Sequence, residues 1–173
     1  MLVGGQAAAQ PVLALKARSD EIARRFAQLL PYLHPRAVFL HLGAAECALA
    51  AHAAAYVERV YAVDPHEALA RFEAPVRAAR LPCNLRLVYS SGEAIAVEPA
   101  SVDVAFSETL QPARLGALAR ALKKGGAYLF RPQKSDSAAG LRAQLARAGF
   151  PLVRFPPLFR VFPRNNLIAG FRQ

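Results

Sequence analysis

The sequence predicts an α/β fold, doubly wound, with a seven-stranded, mainly parallel sheet, an antiparallel edge strand and helices on both faces. Three observations carry this. Short apolar runs alternate with longer stretches of helical periodicity, as a parallel sheet with crossover helices requires. The run Val38 to Leu42 ends in Gly43 and passes into an alanine-rich stretch, and a second run ends on Asp64, 21 residues after that glycine. That is about the offset of a nucleotide-binding βαβ unit. The last two apolar runs have no helix between them, so they are expected to pair antiparallel at the sheet edge.

The elements follow in order. Ser19-Asp20-Glu21-Ile22 reads as a helix start, with Ser19 as the cap and acids in the first turn. Ile22, Phe26, Leu29, Leu30 and Leu33 share one face, and Pro31 and Pro35 mark the end. A strand is predicted over 37–42, a helix over 46–56 and a strand over 59–63. A helix over 66–80, with Pro75 inside it, comes next. Strands are expected at 85–89 and 101–106. The helix over 115–122 closes on Lys123-Lys124-Gly125-Gly126, cations on its carbonyl end and then glycine. A strand over 127–130, a helix over 137–148 ended by Gly149, and strands over 152–155 and 166–171 complete the chain. One domain is expected, with an N-terminal arm over 1–18, a preceding helix over 19–34 and the α/β core over 36–172.

Bulk properties narrow the function classes. The 54% hydrophobic content of the 173 residues fits a folded globule with a sizeable core. No uncharged apolar run spans a bilayer, so no membrane partner is expected. The apolar N-terminus lacks a basic leader and is broken by Gly4-Gly5 and Pro11, which fits a loose docking arm better than a signal peptide. Cys47 and Cys83 form no CxxC pair, and a reducing, cytoplasmic setting is the plain expectation. His34 and His52 show no metal-ligand spacing with the two cysteines, and no metal is expected. A net charge of +10 favours anionic partners, nucleic acid included, but the basic residues are scattered without interleaved aromatics.

Four places together resemble the class I S-adenosylmethionine-dependent methyltransferases, a Rossmann-like family. Val38 to Glu46 resembles that family's glycine-rich first motif, and Ala62-Val63-Asp64 its ribose-binding acid. Ser91-Gly92-Glu93-Ala94, followed by Ser101 to Ser107, is similar to the stretch from its adenine-side acid to the fourth strand. Leu118 to Leu129, with its Lys-Lys-Gly-Gly turn, resembles the approach to the fifth strand. The resemblance covers about Arg36 to Arg172. It implies S-adenosylmethionine as cofactor, with Gly43 near its methionine part, Asp64 on the ribose hydroxyls, Glu93 with Gly92 and Ala94 at the adenine amino group, and Ser107 facing the methyl donor. The implied cofactor-binding set is His41, Gly43, Ala44, Ala45, Glu46, Asp64, Pro65, Gly92, Glu93, Ala94 and Ser107. Two features depart from the family: His41 stands where it usually has an acid, and Ala45 and Cys47 replace its later glycines.

The leading expectation is a methyltransferase-like protein acting on an acceptor that the sequence does not name. The alternative is a non-catalytic member, its fold kept as a binding or assembly scaffold, with the apolar loop 156–163 as a partner or self-association surface. A nicotinamide or flavin dinucleotide protein ranks lower, since Gly43-x-Ala45-x-x-Ala48 is a poor version of that fingerprint. Among single residues, Asp103 is expected to bond backbone near its strand start. Glu108 reads as either a base or a turn cap, and His41 as a ligand contact or a histidine satisfied by neighbouring backbone.

Overall fold

The computed structural model describes residues 19–43, 48–64, 81–90, 92–156 and 167–173. The helix expected over 66–80, the arm over 1–18 and nearly all of the 156–163 loop lie outside them. Residues 19–27 are helical (α1) and lead through a turn into a 3-10 turn at Leu30–Tyr32, with Pro31 in its first positions. Ser19 is already inside α1, so it is not the cap: a cap residue needs non-helical dihedrals.

The strands are β1 (Val38–Leu42), β2 (Arg59–Asp64), β3 (Leu85–Tyr89), β4 (Val102–Thr109), β5 (Leu122–Arg131), β6 (Leu152–Arg154) and β7 (Ile168–Phe171). Between them lie α2 (Ala48–Ala53), α3 (Leu115–Ala121) and α4 (Ala138–Arg147). The sheet order is β3-β2-β1-β4-β5-β7-β6. All neighbours are parallel except β7, which runs antiparallel to both β5 and β6. The antiparallel pair therefore closes the sheet with β7 inside and β6 at the rim. Burial explains the choice. Ile168 and Ala169 are fully buried, whereas Leu152 is 60% exposed, which suits the edge.

β1 shows why the central runs are apolar throughout. Phe39 joins a core with Phe26, Leu29, Ala50, Ala53 and Phe106, under α1 and α2. Its neighbours Leu40 and Leu42 point the other way, into a core with Leu115, Leu118, Leu141, Leu145 and Tyr128, under α3 and α4. A strand covered on both faces has no solvated side, so alternation disappears. Ser137 caps α4, its hydroxyl accepting the Gly140 amide at 3.1 Å.

The largest departure from expectation is at β5. Strand pairing begins at Leu122, opposite Val102, and resumes at Ala127, opposite Val104. The intervening Lys123-Lys124-Gly125-Gly126 is thus a bulge within the strand, and α3 stops one residue early. Each glycine has its own reason. Gly125 has φ +75°, and a Cβ on Gly126 would stand 2.9 Å from the Lys123 carbonyl and 3.1 Å from the Asp103 carbonyl. The bulge turns Lys123 onto Asp103, whose two oxygens each lie 2.9 Å from the ammonium. Asp103 also accepts the Val38 amide at 2.8 Å, so one carboxylate ties together the starts of β1, β4 and β5. This is the backbone-bonding role the sequence suggested.

Asp103→Ala should cost about 2 kcal/mol in urea unfolding, because it strips a charged acceptor from a backbone amide and an ammonium. Lys123 is 43% exposed, so Lys123→Met should stay within about 1 kcal/mol. The reverse order of costs would place the anchor in the ion pair and not in the Val38 amide.

Candidate functional site

In an open sheet of this topology the ligand crevice lies beyond the carboxyl ends of the strands, where the order reverses between β1 and β4. Gly43 is the first residue after β1. It has φ +75°, its amide donates to the Val63 carbonyl at 3.0 Å, and no described atom lies within 4 Å of where a Cβ would stand. The turn thus holds backbone exposed beside the end of β2.

Asp64 ends β2 there. It is 7% exposed, and its Oδ2 is buried with no hydrogen-bond partner among the described residues. Loss of hydration pushes its pKa up from the ordinary carboxylate value, and the positive charge of Arg114 opposes that shift. On its other side the chain after β3 folds back. The Ser90 amide donates to the Asp64 carbonyl at 3.0 Å, and the Ser90 hydroxyl donates to the Ala94 carbonyl. Gly92, Glu93 and Ala94 are exposed on this loop. Arg114, just before α3, donates through Nε to the Gly92 carbonyl at 2.9 Å. The fold therefore brings Gly43, Asp64 and the 92–94 loop to the same end of adjacent strands, as expected. Ala44, Ala45, Glu46 and Pro65 lie outside the described residues.

Two expected site residues sit differently. Ser107 is inside β4, not after it, and is 1% exposed. Its hydroxyl lies 2.6 Å from the Thr109 carbonyl and 2.7 Å from the Tyr128 hydroxyl, so it is engaged within the sheet. Burial pushes the Tyr128 phenol up to about 12, which keeps it neutral. His41 lies against Phe39 and Phe106, with ring centroids 6.4 Å and 5.4 Å away. Both its ring nitrogens are buried without a partner among the described residues, which corrects the expectation that backbone would satisfy them. The strand's own amides and carbonyls are taken up by the parallel ladders on both sides. Burial, helped by the charge of Arg25, lowers its pKa from 6.5 to about 4.

Sequence reasoning missed two features. Arg114 carried no motif. Its only signal is an arginine at a turn on the carboxyl side of the sheet. Glu108 is neither a free base nor a turn cap: Arg25 reaches one oxygen at 3.2 Å and Arg131 the other at 3.0 Å. Arg131 also donates at 3.0 Å to Gln28, the residue after α1, so together with the Arg25–Glu108 bond it ties the end of α1 to the ends of β4 and β5. These partners are far apart in the chain, so only the fold reveals them. Among the described residues no three His, Cys, Asp or Glu side chains cluster to hold a metal, and no helix is long and apolar enough to cross a membrane.

The buried His41, with its lowered pKa, has a consequence for stability. Its folded pKa lies below the ordinary value, so the unfolded chain takes up the proton first as pH falls. Its contribution is full above pH 6.5 and is lost between there and about pH 4. At pH 5 the loss is roughly 2 kcal/mol. His41→Leu should remove that part, so the fall in urea midpoint from pH 7.5 to pH 5 should shrink relative to wild type. Equal falls in both proteins would mean that the ring is hydrated in solution.

No protein-family model and no curated protein matches the sequence. Solved structures do match in fold. A Methanococcus maripaludis protein provisionally assigned as an S-adenosyl-L-methionine-dependent methyltransferase superposes with a TM-score of 0.70 at 13% identity, covering 91% of this chain and 86% of its own. A SAM-dependent methyltransferase from Aquifex aeolicus gives a TM-score of 0.60 at 13% identity, with 88% and 87% covered. The [4+2]-cyclase SpnF gives 0.59 at 14% identity, and this chain spans 57% of its length. Such identities speak for architecture and leave chemistry to the site. With its 3-2-1-4-5-7-6 sheet and antiparallel seventh strand, this chain has the Rossmann-like fold of the class I S-adenosylmethionine-dependent methyltransferases.

Proposed function

We propose that this chain binds S-adenosylmethionine in the crevice bounded by Gly43, Asp64 and the 92–94 loop, and serves methyl transfer to an acceptor. The observation that carries the reading is the Oδ2 of Asp64, buried with no hydrogen-bond partner among the described residues. A buried carboxylate oxygen without a donor is costly, and a pair of ribose hydroxyls supplies the donors it lacks. Gly43 admits a ligand against the backbone, and exposed Glu93 is free to meet the adenine amino group. The cofactor brings an activated methyl on its sulfonium, so the protein's part is chiefly to align donor and acceptor and exclude water.

Two observations favour the second reading, a scaffold that has weakened or lost the cofactor. His41, where an acid is usual, is neutral and apolar in its surroundings, and gives the ammonium end of the cofactor no counter-charge. Engagement of the Ser107 hydroxyl within the sheet points the same way.

Asp64→Asn separates ligand from fold. Ionised Asp64 is disfavoured in the folded state, because its folded pKa is raised. That penalty is absent below the ordinary carboxylate pKa and complete above the folded one. At neutral pH the asparagine variant should therefore melt at the wild-type temperature or higher, while its affinity for S-adenosylhomocysteine in calorimetric titration falls at least tenfold. Wild-type affinity in the variant would place the ribose elsewhere. No heat from wild type at millimolar ligand would leave the scaffold reading standing.

A further inference from the structure

The amino end of the sheet carries a second constellation that cofactor binding does not use. A groove of about 450 Å³ opens there on the α1 face, beside the β5 bulge. That size lies within the roughly 300–1,000 Å³ of ligand pockets. Tyr32 and His34, from the turn leading into β1, line one side. Lys123 and Lys124 of the bulge, Arg154 of β6 and Phe171 of β7 line the other. Strand direction sets this groove at the opposite end of the sheet from Asp64.

Its charge is one-sided. Asp103 is the one carboxylate among its described lining residues, and both its oxygens are held by Lys123. Lys124 and Arg154 have no acidic partner among the described residues. The Arg154 guanidinium lies 5.3 Å from the centre of the Phe171 ring, a stacked cation and aromatic pair. In the sequence Tyr32, Lys124, Arg154 and Phe171 are far apart. The fold gathers them at one edge of a chain of net charge +10.

We propose that this groove binds a segment of single-stranded nucleic acid. Lys124 and Arg154 contact successive phosphates, and a base lies against the Tyr32 ring or the Arg154–Phe171 pair. Cations tracking a backbone beside aromatic side chains are the means by which proteins hold single strands without reading sequence; here Tyr32 and Phe171 are half-buried against the core and line the groove. Free phosphate would use the cations but not the rings, and a duplex hides its base faces. Binding at the groove does not depend on the methyltransferase reading.

The test is fluorescence anisotropy of a labelled oligouridylate with the full chain, across a salt series. Two double variants carry the same net charge. Lys124→Gln with Arg154→Gln empties the groove of its free cations. Arg142→Gln with Arg147→Gln removes exposed cations from α4, on the other face of the sheet. Matching thermal midpoints confirm that both fold. Binding by wild type at 50 mM salt should weaken at least tenfold in the groove variant and less than twofold in the control. The slope of log affinity against log salt should flatten by about 1.4 in the groove variant, as expected when two phosphates of a single strand are no longer neutralised. Tyr32→Leu should weaken binding roughly fivefold or more. Equal weakening in both double variants, no binding by wild type, a duplex bound as tightly as the single strand, or displacement by inorganic phosphate at constant ionic strength would each overturn the proposal.

Discussion

Burial of β1 on both faces is the constraint from which the rest follows. A central parallel strand gives its amides and carbonyls to two ladders and its side chains to two cores, so a polar group near it must be paired, expelled to a strand end or left orphaned at a cost. Each outcome occurs. At the amino end Asp103 is paired with Lys123 and the Val38 amide. At the carboxyl end Asp64 keeps one oxygen without a partner among the described residues, beside the turn that follows β1. Between them burial lowers the His41 pKa to about 4, so the ring is neutral at neutral pH.

The same constraint sorts what is legible in the sequence. Strand identity and order can be read because runs buried on both faces are apolar without alternation, and Gly43 and Asp64 fall at the offset a βαβ unit demands. The Lys-Lys-Gly-Gly stretch is legible as a helix stop. Its second nature, a bulge that aims Lys123 at Asp103, depends on a partner strand about twenty residues away and has no local signature. The rim position of β6 is open for a similar reason. Antiparallel pairing follows from a missing crossover helix, but which strand sits inside depends on the relative burial of Ile168 and Leu152.

The candidate site is legible in outline and not in detail. Backbone-determined positions, Gly43 and the 92–94 loop, can be found because turns write themselves in glycine. Side-chain roles cannot. Ser107 is of the expected type in nearly the expected place, yet extra strand beyond it turns its hydroxyl toward Tyr128. Glu108 looks free in the sequence, but Arg25 and Arg131 converge on it from a helix and a strand that the sequence does not bring together. Arg114 modulates Asp64 from beyond β4 for the same reason.

The two proposed sites constrain each other. β1 has five residues, and at about 3.3 Å of rise per residue the strands separate the groove from the crevice by roughly 17 Å. A nucleotide held against Tyr32 is thus out of reach of a methyl donor beside Gly43. If both sites operate, the groove does not hold the acceptor atom. It grips a remote stretch of a longer strand, and its contacts strengthen binding of substrate and transition state equally, without orienting the reacting residue. An acceptor mononucleotide would then gain nothing from the groove. A strand long enough to pass round α1 or the β6 rim would gain affinity from it with no change in the chemistry at the crevice. Loss of Lys124 and Arg154 would accordingly act on the binding of long acceptors and leave the turnover of bound ones untouched, the separation expected when anchoring and alignment sit at opposite ends of one sheet.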